Sequence, residues 1–389
     1  TLTISGWGSF GFTSLLREYH RQHPDIRIVE RVGDYTGHHD ALSRQLDSGR
    51  GATDIAGVDE AYIAAFRARA AAFHNLLDLG AGDLASRWLD WKWQQPLSPD
   101  GKVQIGLGTD VGGLGVCYRT DLFERAGLPT DRASVSALWQ TWEQFIEVGR
   151  RFEAAGTQAH WLDSSVRAYN AIVAQQDNGY YDRGGNVVVA TNPGVRRAFD
   201  LSLGLIGAGE SARLTSNTAQ WTAALQAGRF ATMLCPAAGI EHLRQNAPDT
   251  RGRWDVATVP GGGGNWGGSF LTLPRQGRHP REAYALAAWL TAPAQQIAIF
   301  KQAGNLPSQP AVYDDPVLRE YRSEFMNNAP VGQILGAAAA NLRPQHLGPR
   351  TAAIRGVVEN TLFRVESGEV TDQEAWATAL SEVTATLAN

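Results

Sequence analysis

The sequence predicts an α/β protein of two lobes, each a mostly parallel sheet flanked by helices, with the chain crossing between them at hinge segments. Three observations predict it. Apolar runs of strand and helix period alternate through residues 1–80, the rhythm of a parallel sheet with crossover helices. A second such alternation follows residue 118. Two long glycine-punctuated stretches, 103–118 and 256–271, lack the polar alternation of a simple strand and read as extended crossings.

The elements follow in order. A strand over 2–5 leads into a loop, Gly6-Trp7-Gly8-Ser9. A helix over 12–23 carries Phe12, Leu15, Leu16 and Tyr19 on one face, and Pro24 ends it. A strand at 26–29, a helix at 41–47, a strand at 53–58 and a helix from Glu60 complete the first run. After the crossing at 103–118, helices are expected at 121–127, 139–155, 195–207 and 221–227, with a strand at 230–235. The second crossing passes through four glycines, 261–264, and leads to a helix at 280–290. The C-terminal third reads as mostly helical and ends in a helix over 372–387. The lobes are therefore expected to be discontinuous, 1–109 plus 269–312 and 110–268 plus 313–389.

Composition narrows the function. With 43% hydrophobic and 19% charged residues, the chain can bury a sizeable core. The net charge of −4 is spread without a basic segment, which argues against nucleic acid or an anionic membrane as partner. No apolar run reaches the ~18 residues of a membrane span. The sequence opens on a strand-like segment without a basic leader, so the protein is either cytosolic or exported by a segment outside this sequence. Cys117 and Cys235 each lie in an apolar strand-like run and fit either two buried thiols or one disulfide.

Catalytic signatures are missing. Glycines 261–264 run into Trp266 and a strand with no following Lys, which is not a phosphate loop, and no GxGxxG follows the first strand. Neither HExxH nor GxSxG occurs, and His38-His39 reads as solvated surface on a polar loop. No cofactor or metal is expected. Asp59 and Glu60 stand at a strand end, where open α/β sheets hold ligands, although Asp59 also suits a helix cap. Being adjacent, they are a poor glycosidase pair, which needs two carboxyls about 5 to 9 Å apart across one bond.

The twelve Trp are the positive signal. Sugar rings offer apolar C–H faces with hydroxyl rims, which flat aromatic platforms and carboxylates, amides or Arg recognise. Trp7, between glycines in the first loop, and Trp266, between Asn265 and Gly267-Gly268, suit this role. Trp161 and Trp221 suit it less, because either also reads as core or helix cap. Trp88, Trp91 and Trp93 read as structural, and Trp139, Trp142, Trp254, Trp289 and Trp376 as core.

Five segments carry a resemblance: GVCYRTDLFERAGLP (115–129), TWEQFIEVGRRF (141–152), AGRFATMLCPAAG (227–239), VPGGGGNWGGSFLTLP (259–274) and AAWLTAP with AGNLPSQ (287–309). In order and spacing the chain resembles the extracellular solute-binding proteins of carbohydrate ABC importers, the family 1 group typified by maltose-binding protein. NWGGSF and the two Cys look most like actinobacterial binders of cello-oligosaccharides. The resemblance implies a two-lobed, type II periplasmic-binding-protein-like fold, crossings near 109–112 and 267–270, and a third return near 312. It implies that the chain is no enzyme but a monomeric receptor for a short oligosaccharide, which it encloses by hinge closure and delivers to an ABC permease. Ligand contacts are implied at Trp7, Gly8, Ser9, Asp59, Glu60, Asp110, Trp161, Trp221, Gly239, Trp266, Gly267 and Asn305, with Arg350 as a further candidate. The site would lie outside the cytoplasm, on the extracellular face or in the periplasm, with a lipid anchor upstream of Thr1.

Overall fold

The computed structural model describes every residue from Thr1 to Asn389. Its strands are β1 (Leu2–Trp7), β2 (Ile28–Gly33), β3 (Ile55–Asp59), β4 (Gly106–Val111), β5 (Gly115–Arg119), β6 (His160–Leu162), β7 (Phe230–Cys235), β8 (Trp254–Thr258), β9 (Gly268–Thr272) and β10 (Leu306–Pro307). The chain divides into two compact units, Thr1–Gly112 with Gly267–Arg319, and Gly113–Trp266 with Glu320–Asn389. Asp110, expected in the second lobe, therefore belongs to the first unit.

The first unit is built on a six-stranded sheet of order β10-β4-β9-β3-β1-β2. Strands β2, β1 and β3 are parallel, but β9 is antiparallel to both β3 and β4, and β10 is antiparallel to β4. The expected mostly parallel sheet is thus a mixed one. The reason is the route of the chain. β4 leaves this unit at the carboxyl end of β3, and β9 re-enters at that same end, pairing Ser269 with Asp59 and Gly268 with Val111. A strand entering where its neighbours finish has to run against them. Between Gly108 and Val111 the β4–β9 register shifts, so Thr109 and Asp110 sit in a bulge, a device that re-aims side chains beside functional sites.

Alternation along the strands buries both faces of this sheet. Leu2, Ile4, Ile55 and Leu271 pack with Leu15, Leu286 and Leu290 on one face. Ala56, Val58 and Phe270 pack with Leu42, Ile63 and Phe66 on the other. The helix Tyr35–Ser48 starts well before the expected 41, because the Asp34 carboxylate caps it by accepting from Gly37 N at 2.8 Å. It ends at Gly49, whose φ of 71° closes the helix in the left-handed region.

The second unit holds a four-stranded sheet of order β6-β7-β5-β8, in which only β6 and β7 are parallel. The expected helix over 139–155 is the helix Trp142–Ala154, started by a capping box of Thr141 and Gln144, and a separate short helix, Arg132–Leu138, precedes it. Cys117 on β5 and Cys235 on β7 form a disulfide, with Cα atoms 5.9 Å apart and a sequence separation of 118. Closing so long a loop restricts the unfolded chain. The double variant Cys117→Ala/Cys235→Ala is therefore expected to lose about 2–4 kcal/mol in urea denaturation of the second unit. A variant as stable as the wild type would remove the bond from the account of stability.

Candidate functional site

The carboxyl ends of β1, β3 and β4 bring aromatic and acidic side chains of the first unit together. Trp7 closes β1 and is half-buried. Phe10 and Tyr35 meet its ring edge-on, with centroids 5.0 and 5.6 Å away, and His39 lies 4.5 Å away. Gly8, at φ 53°, turns the chain beyond it, and Ser9 Oγ accepts from Gly11 N at 3.2 Å. Trp7, Gly8, Ser9, Phe10 and Val32 help to line a cavity of about 160 Å³.

Asp59, the last residue of β3, does cap the helix Glu60–Arg67. Its Oδ1 accepts from Ala61 N at 2.9 Å, and also from the Tyr35 hydroxyl at 3.0 Å. Burial pushes its carboxyl up to about 6, against the Ala61 amide and with the charges of Glu60 and Asp110 adding to the rise. Asp59 N donates to His39 Nε2 at 3.0 Å, so the His39 proton resides on Nδ1, which donates to Tyr35 O at 2.7 Å. Burial holds His39 neutral, with its pKa lowered to about 4. The ring also stacks on Tyr62 at 4.0 Å. Glu60 accepts from Gln95 Nε2 at 3.1 Å and from Gly267 N at 3.0 Å. Asp110 accepts from the Thr109 hydroxyl at 2.8 Å, and it shares a small recess with Asn305 and Phe10.

In the second unit Trp266 is half-buried, with the Arg167 guanidinium 5.6 Å from its ring centroid. Arg167 is held by Ser216 Oγ at 3.0 Å and Leu234 O at 3.2 Å. Gly239 lies in the first turn of the helix Ala237–Asn246 and donates to Pro236 O at 2.9 Å. Arg350 points its guanidinium at Thr386 O, 2.9 Å away.

Two expected platforms are core residues instead. Trp161 is 0% exposed, ringed by Phe145 at 5.1 Å, Phe123 at 5.5 Å and Phe152 at 5.6 Å. Trp221 is 1% exposed and donates from Nε1 to Asp163 Oδ2 at 3.0 Å, with its ring against Phe230 and His242. Both belong to packing, because no face of either ring is open. His38 and His39, read as solvated surface, are buried at 9% and 1% exposure on the helix Tyr35–Ser48. Tyr35, Tyr62 and Arg167 are not among the residues expected here. The signal for the first was present: Tyr35, His38, His39 and Leu42 follow the spacing of one helix face behind the Asp34 cap.

No group of three His, Cys, Asp or Glu side chains is placed to hold a metal ion. The arrangement presents aromatic rings and acceptor carboxylates, which suits polyhydroxylated ligands with apolar faces.

These features define a two-lobed α/β binding protein of the periplasmic-binding-protein-like type. Residues 14–323 match the bacterial extracellular solute-binding protein family, and the chain belongs to that family. A crystal structure described as extracellular solute-binding protein family 1 is 41% identical, with 99% of each chain covered and a TM-score of 0.95. An arabinooligosaccharide-binding protein of Bacillus subtilis (strain 168) is 21% identical over 98% of this chain and 90% of its own length. The galacto-N-biose/lacto-N-biose I-binding protein of a Bifidobacterium longum ABC transporter shares the fold, at 20% identity, TM-score 0.78 and coverage of 99% and 97%.

Proposed function

We propose that the chain is the oligosaccharide-binding component of an ABC importer, and that its ligand is a short β-linked glycan of the cello-oligosaccharide type. One observation carries this reading: a half-open aromatic cluster, Trp7 with Phe10, Tyr35 and His39, stands beside Asp59 in the first unit. Trp266, with Arg167 against it, is the aromatic candidate of the second unit. The likeness to the Bacillus subtilis arabinooligosaccharide-binding protein supports a glycan ligand. Asp59, Glu60, Asp110 and Asn305 take the hydroxyls, and a buried hydroxyl left unpaired costs binding energy. Binding closes the protein on its sugar, and the closed protein, a monomer outside the cytoplasm, presents the sugar to the permease.

A thermal-shift screen against cellobiose, cellotriose, xylobiose, arabinotriose, maltotriose and chitobiose tests it, since a ligand stabilises in proportion to the logarithm of its excess over Kd. A shift with the cello series supports the reading, a shift with another glycan reassigns the sugar, and silence throughout removes the glycan. Trp266→Ala is expected to weaken the binding of the responding sugar by about 1–3 kcal/mol, the size of a buried aromatic contact. Unchanged affinity in calorimetry would exclude Trp266 as a platform.

A further inference from the structure

Tyr35 and His39, one turn apart at the start of the helix Tyr35–Ser48, each touch both Trp7 and Asp59. The Tyr35 hydroxyl donates to Asp59 Oδ1 at 3.0 Å. Asp59 N donates to His39 Nε2 at 3.0 Å, and His39 Nδ1 donates to Tyr35 O at 2.7 Å. These three bonds close a ring through Tyr35, His39 and Asp59. His39 is 1% exposed and stacks on Tyr62 at 4.0 Å, so turning its imidazole would leave a buried N–H unpaired. The Asp34 cap on Gly37 N fixes the same helix turn from outside the ring.

The two oxygens of Asp59 are unequal as a result. Oδ1 is filled by two protein donors, the Tyr35 hydroxyl and Ala61 N at 2.9 Å, and Oδ2 receives none. A carboxylate can accept about four hydrogen bonds, so its spare capacity lies on Oδ2. Rotating the carboxylate would break both bonds to Oδ1. The residues that orient this acceptor also hold the aromatic face beside it. Tyr35 meets the Trp7 ring edge-on at 5.6 Å, and His39 lies 4.5 Å from it. Groups fixed before binding need no ordering when a ligand arrives. We propose that Tyr35 and His39 are positioning residues, which fix Asp59 Oδ2 as an acceptor in register with the Trp7 ring, so that a hydroxyl on the rim of a stacked sugar meets it without rearrangement. The sugar's part in this rests on the glycan-binding reading.

Tyr35→Phe keeps the ring against Trp7 and removes only the hydroxyl. Calorimetry is done with cellotriose, or with whichever glycan of the screen responds, at pH 8, above the range in which Asp59 titrates. Y35F is expected to bind about fivefold more weakly, within the worth of one hydrogen bond to a charged group. In Asp59→Ala there is no carboxylate to orient, and there Tyr35→Phe is expected to change affinity less than about twofold. An equal loss in both backgrounds means that Tyr35 touches the sugar itself and overturns the proposal. So does a Y35F that binds like the wild type.

The ligand-free protein gives an independent arm. 15N spectra of histidine-labelled protein at pH 7 are expected to show His39 neutral with its proton on Nδ1, since burial lowers its pKa to about 4. A proton on Nε2 would break the ring and overturn the proposal. The 13C carboxyl resonance of Asp59, assigned by its absence in D59A, is expected to titrate near 6, and higher in Y35F, because the Tyr35 hydrogen bond favours the charged form. A titration unmoved in Y35F also overturns it. A wild type that binds no glycan sinks the functional reading and the role of Oδ2 with it, and the two spectra then decide the hydrogen-bonded ring by themselves.

Discussion

Replacing Trp161 by alanine is expected to destabilise the second unit by about 3–5 kcal/mol, the cost of emptying a fully buried indole site. Its ring touches Phe123, Phe145, Phe152 and Trp139, at centroid distances of 5.1 to 5.8 Å. Such a cluster on a sheet covered by the helix Trp142–Ala154 has little freedom to collapse into the hole. Urea denaturation reads the loss. Calorimetry at a temperature where the variant remains folded is expected to show glycan affinity like that of the wild type. Trp266→Ala is expected to do the reverse, because Trp266 packs on the core only in part. A Trp161→Ala protein of normal stability with weakened sugar binding would return Trp161 to the ligand.

That contrast shows what the sequence could convey. Local periodicity located β1, β3 and β7 within a residue or two, because each is a short apolar run between turn residues. Glycines 108, 113, 115, 267 and 268 interrupt apolar stretches that no single strand needs, and the two compact units meet along the chain at 112–113 and 266–267. Strand direction was not legible. β9 pairs with β3 across more than 200 residues, Ala56 with Thr272, and nothing local to either strand records it. Trp161 and Trp221, which local sequence left open between platform and core, were undecided for the same reason. Trp161 is followed by Leu162 and the polar run Asp163-Ser164-Ser165, and tertiary packing buries all five. The adjacent histidines failed in the opposite direction, their polarity suggesting solvent. His38 spends its ring nitrogen on Gly57 O at 2.7 Å and His39 spends both of its own on Tyr35 O and Asp59 N, so they enter the interior with partners.

Glutamine in place of Glu210 is expected to stabilise the protein, and only away from acid. Glu210 is 0% exposed, and neither carboxyl oxygen has a hydrogen-bond partner. The Trp161 Nε1 is likewise unpartnered, and both groups crowd Gly149, where a Cβ would collide with Glu210 Oε1 and lie 2.5 Å from Trp161 Cδ1. Burial pushes the Glu210 carboxyl up from 4.5 to about 8; Arg150 opposes the rise, while Glu153 and Glu147 add to it. Between those two values the folded protein holds a proton that the unfolded chain has released, so stability falls as pH rises. The contribution of the protonated carboxyl is complete below about 4.5 and lost as pH passes through about 8. At one tenfold step in equilibrium per pH unit, the difference between E210Q and the wild type should approach the order of 4 kcal/mol at pH 8.5 and shrink towards zero at pH 4.5. Denaturation curves at pH 4.5, 6.5 and 8.5 measure it. Parallel stabilities at all three would mean that Glu210 is ionised in the folded protein at neutral pH and has found partners there. A gap opening with pH would show that the second unit is held together in part by a carboxylic acid kept neutral, with Trp161 as its neighbour.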